Sequence, residues 1–183
     1  NVERLAISCI MEIDNKGNVV DYDIKQTLIK SKIQMTYKKV NKILEENIIA
    51  EGYEPYVEKL HLMSELADIL RSHKERRGYI DFDLSESKII VDDNGKAIDV
   101  TLRERGTGEK LIEDFMIVAN ETVATHIYFM DLPFVYRVHG EPSEEKITNF
   151  MRFLNILGYK VKGNLDKLTP TLMQNILEQL KEK

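Results

Sequence analysis

The stretch from 109 to 139, EKLIEDFMIVANETVATHIYFMDLPFVYRVH, constrains the fold more than any other part of the chain. Leu111, Phe115, Ala119, Val123 and Ile127 recur every fourth residue, so the spacing predicts one long amphipathic helix with a slowly drifting apolar stripe. Such a helix needs a core to lie on. Glu113 and Asp114 stand about 100° apart on the helical wheel, so only one of them borders the stripe. The wheel puts Glu113 on its edge, near Asn120, which makes it the first acid to question. After the helix, Phe134, Tyr136 and Val138 alternate with Val135 and Arg137, and Pro133 to His139 reads as a partly buried strand.

A chain of 183 residues suffices for one domain with a sizeable core, or for a segment of a larger one. With 43% apolar and 31% charged residues it reads as soluble and folded. A net charge of -5 argues against wrapping nucleic acid with the whole surface and leaves room for a local basic groove. Cys9 has no partner, so an internal disulfide is excluded, and a reducing compartment, by default the cytoplasm, is expected. No apolar run reaches the length of a membrane span, and the opening NVERLAISC does not have the pattern of a targeting signal. The first residue is not Met and a strand pattern begins almost at once, which reads as a piece of a longer protein.

Elsewhere the pattern predicts an α+β chain of antiparallel hairpins packed with several helices. Leu5 to Ile13, DNKGN and Val19 to Ser31 read as a hairpin. Met35 to Leu44 has helical spacing at Val40, Ile43 and Leu44, and a second helix of about four turns runs from Tyr56 to Gly78. Its last turn, RSHKERRG, is basic, which suits the negative end of a helix dipole. YIDFDL reads as a short strand, and SKIIVDD, Asn94-Gly95 and KAIDVTLRERG as a tight hairpin. Ser143 is a good N-cap for a helix through Ile147, Phe150, Met151, Leu154 and Leu157, and a last helix covers Leu172 to Lys181. No repeat or long linker divides the chain.

Several chemistries are set aside by spacing alone. His61, His73, His126 and His139 lack the i, i+3 or i, i+4 spacing of a helical zinc site, and no phosphate loop, Gly-x-Ser-x-Gly elbow or His-Glu-x-x-His motif is present. Asp81 and Asp83 share a strand face and could share a cation, although paired acids on a strand are more often solvated or guard an edge.

Read in order, SKIQMTYKKV, RRGYIDFDLSESKIIVDDNGKAIDV, EKLIEDFMIVANETVA and LPFVYRVHGEPSEEK resemble the RNB catalytic domain of the ribonuclease R and ribonuclease II family, in detail closer to ribonuclease R. The match covers nearly the whole chain and corresponds to the middle of that domain. The resemblance implies a processive 3′→5′ exoribonuclease that hydrolyses single-stranded RNA to nucleoside 5′-monophosphates with two magnesium ions. It implies that the metal-binding aspartates, the downstream arginine motif and the RNA-binding barrel lie outside these residues, so this segment alone is expected to be inactive, with no catalytic or metal-ligating residue in it. Three substrate contacts carry over. Tyr37 matches the tyrosine that stacks on the terminal nucleotide, Phe82 an aromatic of the RNA channel, and Glu113 a glutamate beside the terminal nucleotides or their sugar. Without the resemblance Tyr37 reads as half-buried packing, Phe82 as core and Glu113 as a solvated acid. Arg76, Arg77, Arg103 and Arg105 are weaker candidates for phosphate contact, since basic residues at a helix end or beside a hairpin are usually solvated. A non-catalytic module that binds RNA or protein is the alternative reading; no membrane is implied, and the oligomeric state stays open.

Overall fold

The computed structural model describes residues 2–80, 87–102, 105–138, 140, 142–159 and 169–181. In chain order these form β1 (Glu3–Ile13), β2 (Val19–Lys30), α1 (Tyr37–Glu46), a short 3-10 turn (Glu54–Tyr56), α2 (Val57–Arg76), β3 (Ser87–Val91), β4 (Ala97–Leu102), α3 (Thr107–Phe129), α4 (Glu144–Ile156) and α5 (Pro170–Lys181). The architecture is α+β, with five helices and two separate antiparallel hairpins, β1–β2 and β3–β4, among the described residues.

β1 and β2 pair from Glu3↔Lys30 to Ile13↔Val19, with an irregularity between Glu12 and Ile13. The Asp14 carboxylate closes the turn by accepting from the Lys16 and Asn18 N–H groups at 2.9 and 2.8 Å. Gly17 supplies a φ of 84°, which strains any residue with a Cβ. It also lies against α2, where an added Cβ would come within 2.6 Å of His73 Cβ. The Lys16 carbonyl accepts from Arg76 Nη2 at 2.6 Å and approaches His73 Nδ1 at 3.1 Å, so the basic end of α2 holds the hairpin turn. Farther along the hairpin, Tyr22 meets His126 of α3, hydroxyl to Nδ1 at 3.1 Å with the rings edge to face.

One core cluster joins Val40 and Ile43 of α1 to Tyr53 and Leu60, with Ile33, Met35 and Leu44 around it. Each aliphatic side chain so buried contributes roughly 1.5–3 kcal/mol relative to exposure. α2 adds Ala67 and Leu70, and α3 adds Leu111, so α1, α2 and α3 share one body. A second cluster, Met151 and Leu154 of α4 with Ile176 of α5, is smaller. The expected Ser143 cap is present, its hydroxyl accepting from Lys146 N at 3.4 Å.

Three expectations need correction. The most buried line of α3 runs through Leu111, Asp114 and Thr122, while Phe115, Ala119, Val123 and Ile127 are only partly covered. A four-residue repeat drifts on a helix of 3.6 residues per turn, and α2 packs on the side where Arg71 and Lys74 meet Asp114. Residues 132–138 form no paired strand and are exposed throughout. Their alternation instead gathers rings: Tyr136 lies edge-on to Phe134 and Tyr128, with centroids at 5.3 and 6.5 Å. α2 also runs longer than its expected four turns, with 20 residues. The YIDFDL segment, with Asp81, Phe82 and Asp83, lies outside the described residues, as do Arg103 and His139.

Candidate functional site

Tyr37 is the first residue of α1 and is 46% exposed. Thr36 precedes it in extended conformation and donates its N–H to the Tyr53 hydroxyl at 3.2 Å, which fixes where α1 begins. α1 buries Val40 and Ile43; Tyr37, one turn before Val40, lies at the exposed edge of that face, and helix periodicity turns Lys38 and Lys42 to the opposite side. They line a groove of about 1030 Å³ whose other wall is the open end of the β3–β4 hairpin, where Lys88 pairs with Thr101 and Ser87 with Leu102.

The groove is closed at one end by the start of α3, which α1 caps from outside. Asn41 Oδ1 accepts from Gly108 N at 2.7 Å, Asn41 Nδ2 donates to Glu109 Oε2 at 2.8 Å, and Glu45 Oε1 accepts from Thr107 N at 2.6 Å. Glu109 Oε2 also accepts from Gly106 N at 3.1 Å. N–H groups that a helix leaves unpaired at its start are thus taken by side chains of a different helix. The bond from Thr107 N is the main reason the Glu45 carboxyl titrates below its ordinary value. No room is left for side chains at the junction: a Cβ on Gly106 would collide with the Asn41 carboxamide, and one on Gly108 would lie 2.8 Å from Asn41 Oδ1. The Tyr37 ring lies just beyond Gly108, its Cδ1 3.6 Å from where that Cβ would be.

From the groove a chain of polar contacts runs inward. Arg105 lines the groove and pairs with Glu113 through Nη2 and Oε2. Glu113 Oε1 accepts from the Tyr79 hydroxyl at 3.3 Å, and Lys74 Nζ lies 3.8 Å from the Tyr79 ring centroid. Lys74 Nζ donates to Asp114 Oδ1 at 2.7 Å, and Arg71 donates to Oδ2 through Nε at 3.1 Å and Nη2 at 2.8 Å. The two neighbouring acids of α3 therefore take different places. Glu113 keeps about a third of its side chain in solvent, whereas Asp114 is 4% exposed in the seam with α2. A buried carboxylate is tolerable there because two cations and three hydrogen bonds compensate it.

Of the residues singled out in the sequence, Tyr37 and Glu113 thus belong to one connected system through Arg105. Arg76 and Arg77 stand apart from it. Arg76 is on the Lys16 carbonyl, and Arg77 pairs with Glu121 at 2.9 Å beside a second cavity of about 380 Å³ under the β1–β2 hairpin. Asn41, Glu45 and Asp114 carry no signal that sequence reasoning could use. Their partners lie 40 or more residues away.

Comparison with known proteins bears on this geometry. Residues 1–183 match the family described as RNB domain. Ribonuclease R of Thermotoga maritima is 44% identical over 98% of this chain and 25% of that protein, and Ribonuclease R 1 of Lactococcus lactis subsp. lactis is 39% identical over 98% and 22%. Among solved structures, Mycoplasma genitalium RNase R in complex with ribose-methylated single-stranded RNA superposes with a TM-score of 0.92 at 28% identity, covering 99% of this chain and 28% of that one. The same enzyme in complex with double-stranded RNA also gives 0.92 at 28% identity, covering 100% and 32%. The chain spans about a quarter of the length of the curated relatives it matches.

Proposed function

The chain belongs to the RNB domain family, and from that premise we propose that it supplies the substrate-holding part of a magnesium-dependent 3′→5′ exoribonuclease, one that moves processively along single-stranded RNA and releases nucleoside 5′-monophosphates. The observation that carries this reading is the groove led by Tyr37 and linked through Arg105 to Glu113. Relatives named Ribonuclease R and neighbours solved with RNA support the substrate class.

In this reading the Tyr37 ring takes the terminal base. Stacking suits an enzyme that must accept any sequence, because every base offers a π face. Glu113 has two carboxylate oxygens, and with Arg105 and Tyr79 on part of them the remaining lone pairs accept from a sugar hydroxyl, the group that tells RNA from DNA. Arg105 holds that carboxylate in position. Phe82, outside the described residues, is assigned to the same channel. Among the described residues no cluster of three or more His, Cys, Asp or Glu side chains fits a metal ion. The two ions, which would activate water and steady the leaving oxygen, are assigned to residues outside this chain, as the resemblance implies. What the described residues do is bind and orient. The unpaired Cys9 agrees with a cytoplasmic enzyme.

The test uses 5′-labelled single-stranded RNA and magnesium. The gene product as encoded is expected to shorten it stepwise from the 3′ end, and the 183-residue chain by itself to release no nucleotide. Tyr37→Ala in the gene product should lengthen the final product by removing the stacking surface. An unchanged product ladder would count against Tyr37, and absence of magnesium-dependent release from the gene product would leave a binding module.

A further inference from the structure

Tyr79 is put in place by the way α2 stops. Gly78 takes a φ of 89° just past the helix, its N–H donates to the Glu75 carbonyl at 2.9 Å, and the Tyr79 N–H donates to the Lys74 carbonyl at 3.2 Å. These two nested bonds make a glycine helix stop, which folds the side chain after the glycine back over the last turn. Here that side chain is Tyr79, and the residue it meets is Lys74, whose Nζ lies 3.8 Å from the ring centroid. Lys74 is itself fixed, because its Nζ also donates to the buried Asp114 Oδ1 at 2.7 Å.

The hydroxyl of the ring so held reaches α3 and donates to Glu113 Oε1 at 3.3 Å, while Arg105, from the chain just ahead of α3, meets Oε2. The terminal torsion of a glutamate is broad, so a contact at one oxygen leaves the carboxylate free to turn. Contacts at both oxygens, from two different elements, set its plane. Each oxygen still has a lone pair for a further donor. The two adjacent acids of α3 are thereby linked through the end of α2: Asp114 holds Lys74, Lys74 holds the Tyr79 ring, and the Tyr79 hydroxyl holds Glu113. We propose that Tyr79 is a positioning residue that, without touching substrate, sets the orientation in which Glu113 accepts a sugar hydroxyl, so that preference for ribose over deoxyribose depends on it. The proposal rests on the reading of Glu113 as a sugar contact.

Tyr79→Phe isolates the hydroxyl, because it keeps a ring over Lys74. With magnesium present, kcat/KM of the gene product is measured on oligo(A) RNA and on copies carrying one 2′-deoxynucleotide at each of the last positions in turn. Glu113→Ala is expected to abolish the preference for ribose at the position it contacts. At that same position Tyr79→Phe is expected to lower the preference by about tenfold, the lower end for a hydrogen bond to a charged group because Arg105 still holds Oε2. Tyr79→Phe/Glu113→Ala should lose no more than Glu113→Ala alone, since both variants break one chain of contacts. A parental preference in Tyr79→Phe beside a lost one in Glu113→Ala would overturn the role of Tyr79 and leave the sugar contact standing. Equal losses on the ribose and deoxyribose substrates in Tyr79→Phe would overturn it too, as the mark of packing alone. A parental preference in Glu113→Ala would overturn the sugar contact and the proposal with it.

Discussion

Asp114 shows how much a single position gains from its surroundings. In the sequence it is one of two adjacent acids, yet it is the one the fold buries, against Arg71 and Lys74. Removing a buried partner strands the other charges, so Asp114→Ala is expected to cost about 3 kcal/mol, the lower end of the range for such a break because Arg71 keeps 30% of its side chain in solvent. Urea denaturation measures this, and a midpoint within error of the parent protein would refute it. The partial exposure of Glu113 was readable from its place at the edge of the apolar stripe. Asp114 was not, because its partners are separated from it by 40 and 43 residues and a helical wheel records only neighbours on one helix.

At the scale of elements, the junction of α1 and α3 sets the geometry of the groove. Asn41 and Glu45 reach across to cap α3, and Gly106 and Gly108 let the helices approach closely enough for them to do so. Because the Glu45 carboxyl titrates lower when folded than when free, the ionised form favours the docked helices. Its contribution is present above about 4.5, the ordinary value, and is lost as the pH falls from there through the lowered folded-state value. Thermal melts between pH 3 and pH 7 should show a loss of stability in that window that is smaller in Glu45→Gln, and equal slopes in the two proteins would refute the link. The helices and both hairpins were readable from periodicity and from turns such as Asn94-Gly95, where φ is 79°. The segment at 132–138 was misread because alternation reports which side chains share a side, whereas a strand also needs a neighbour to bond to.

For the whole molecule, apolar surface left open among the described residues is the salient fact. Leu5 and Leu28 oppose each other in the β1–β2 register and both point to solvent, 87% and 60% exposed. Tyr128, Phe129, Phe134 and Val135 are exposed at the far end of α3. Surfaces of this kind associate when nothing covers them. The 183-residue chain by itself is therefore expected to sediment with a weight-average mass that rises with concentration, and Leu5→Lys/Leu28→Lys to reduce the rise. A constant monomer mass in sedimentation velocity would refute this.

By itself the sequence determined the α+β class, the order and approximate limits of the helices and hairpins, the family, and Tyr37 and Glu113 as the residues to question. Those features are written in local spacing and in short motifs, which the chain carries whether folded or not. The tertiary structure alone decided which of two adjacent acids is buried, that α1 caps α3, that Arg76 and Arg77 serve the protein's own contacts, and that α1 and the β3–β4 hairpin line a groove with Tyr37. Each depends on partners brought together from distant parts of the chain, and a charge declares its role only when the fold has determined whether an opposite charge stands beside it.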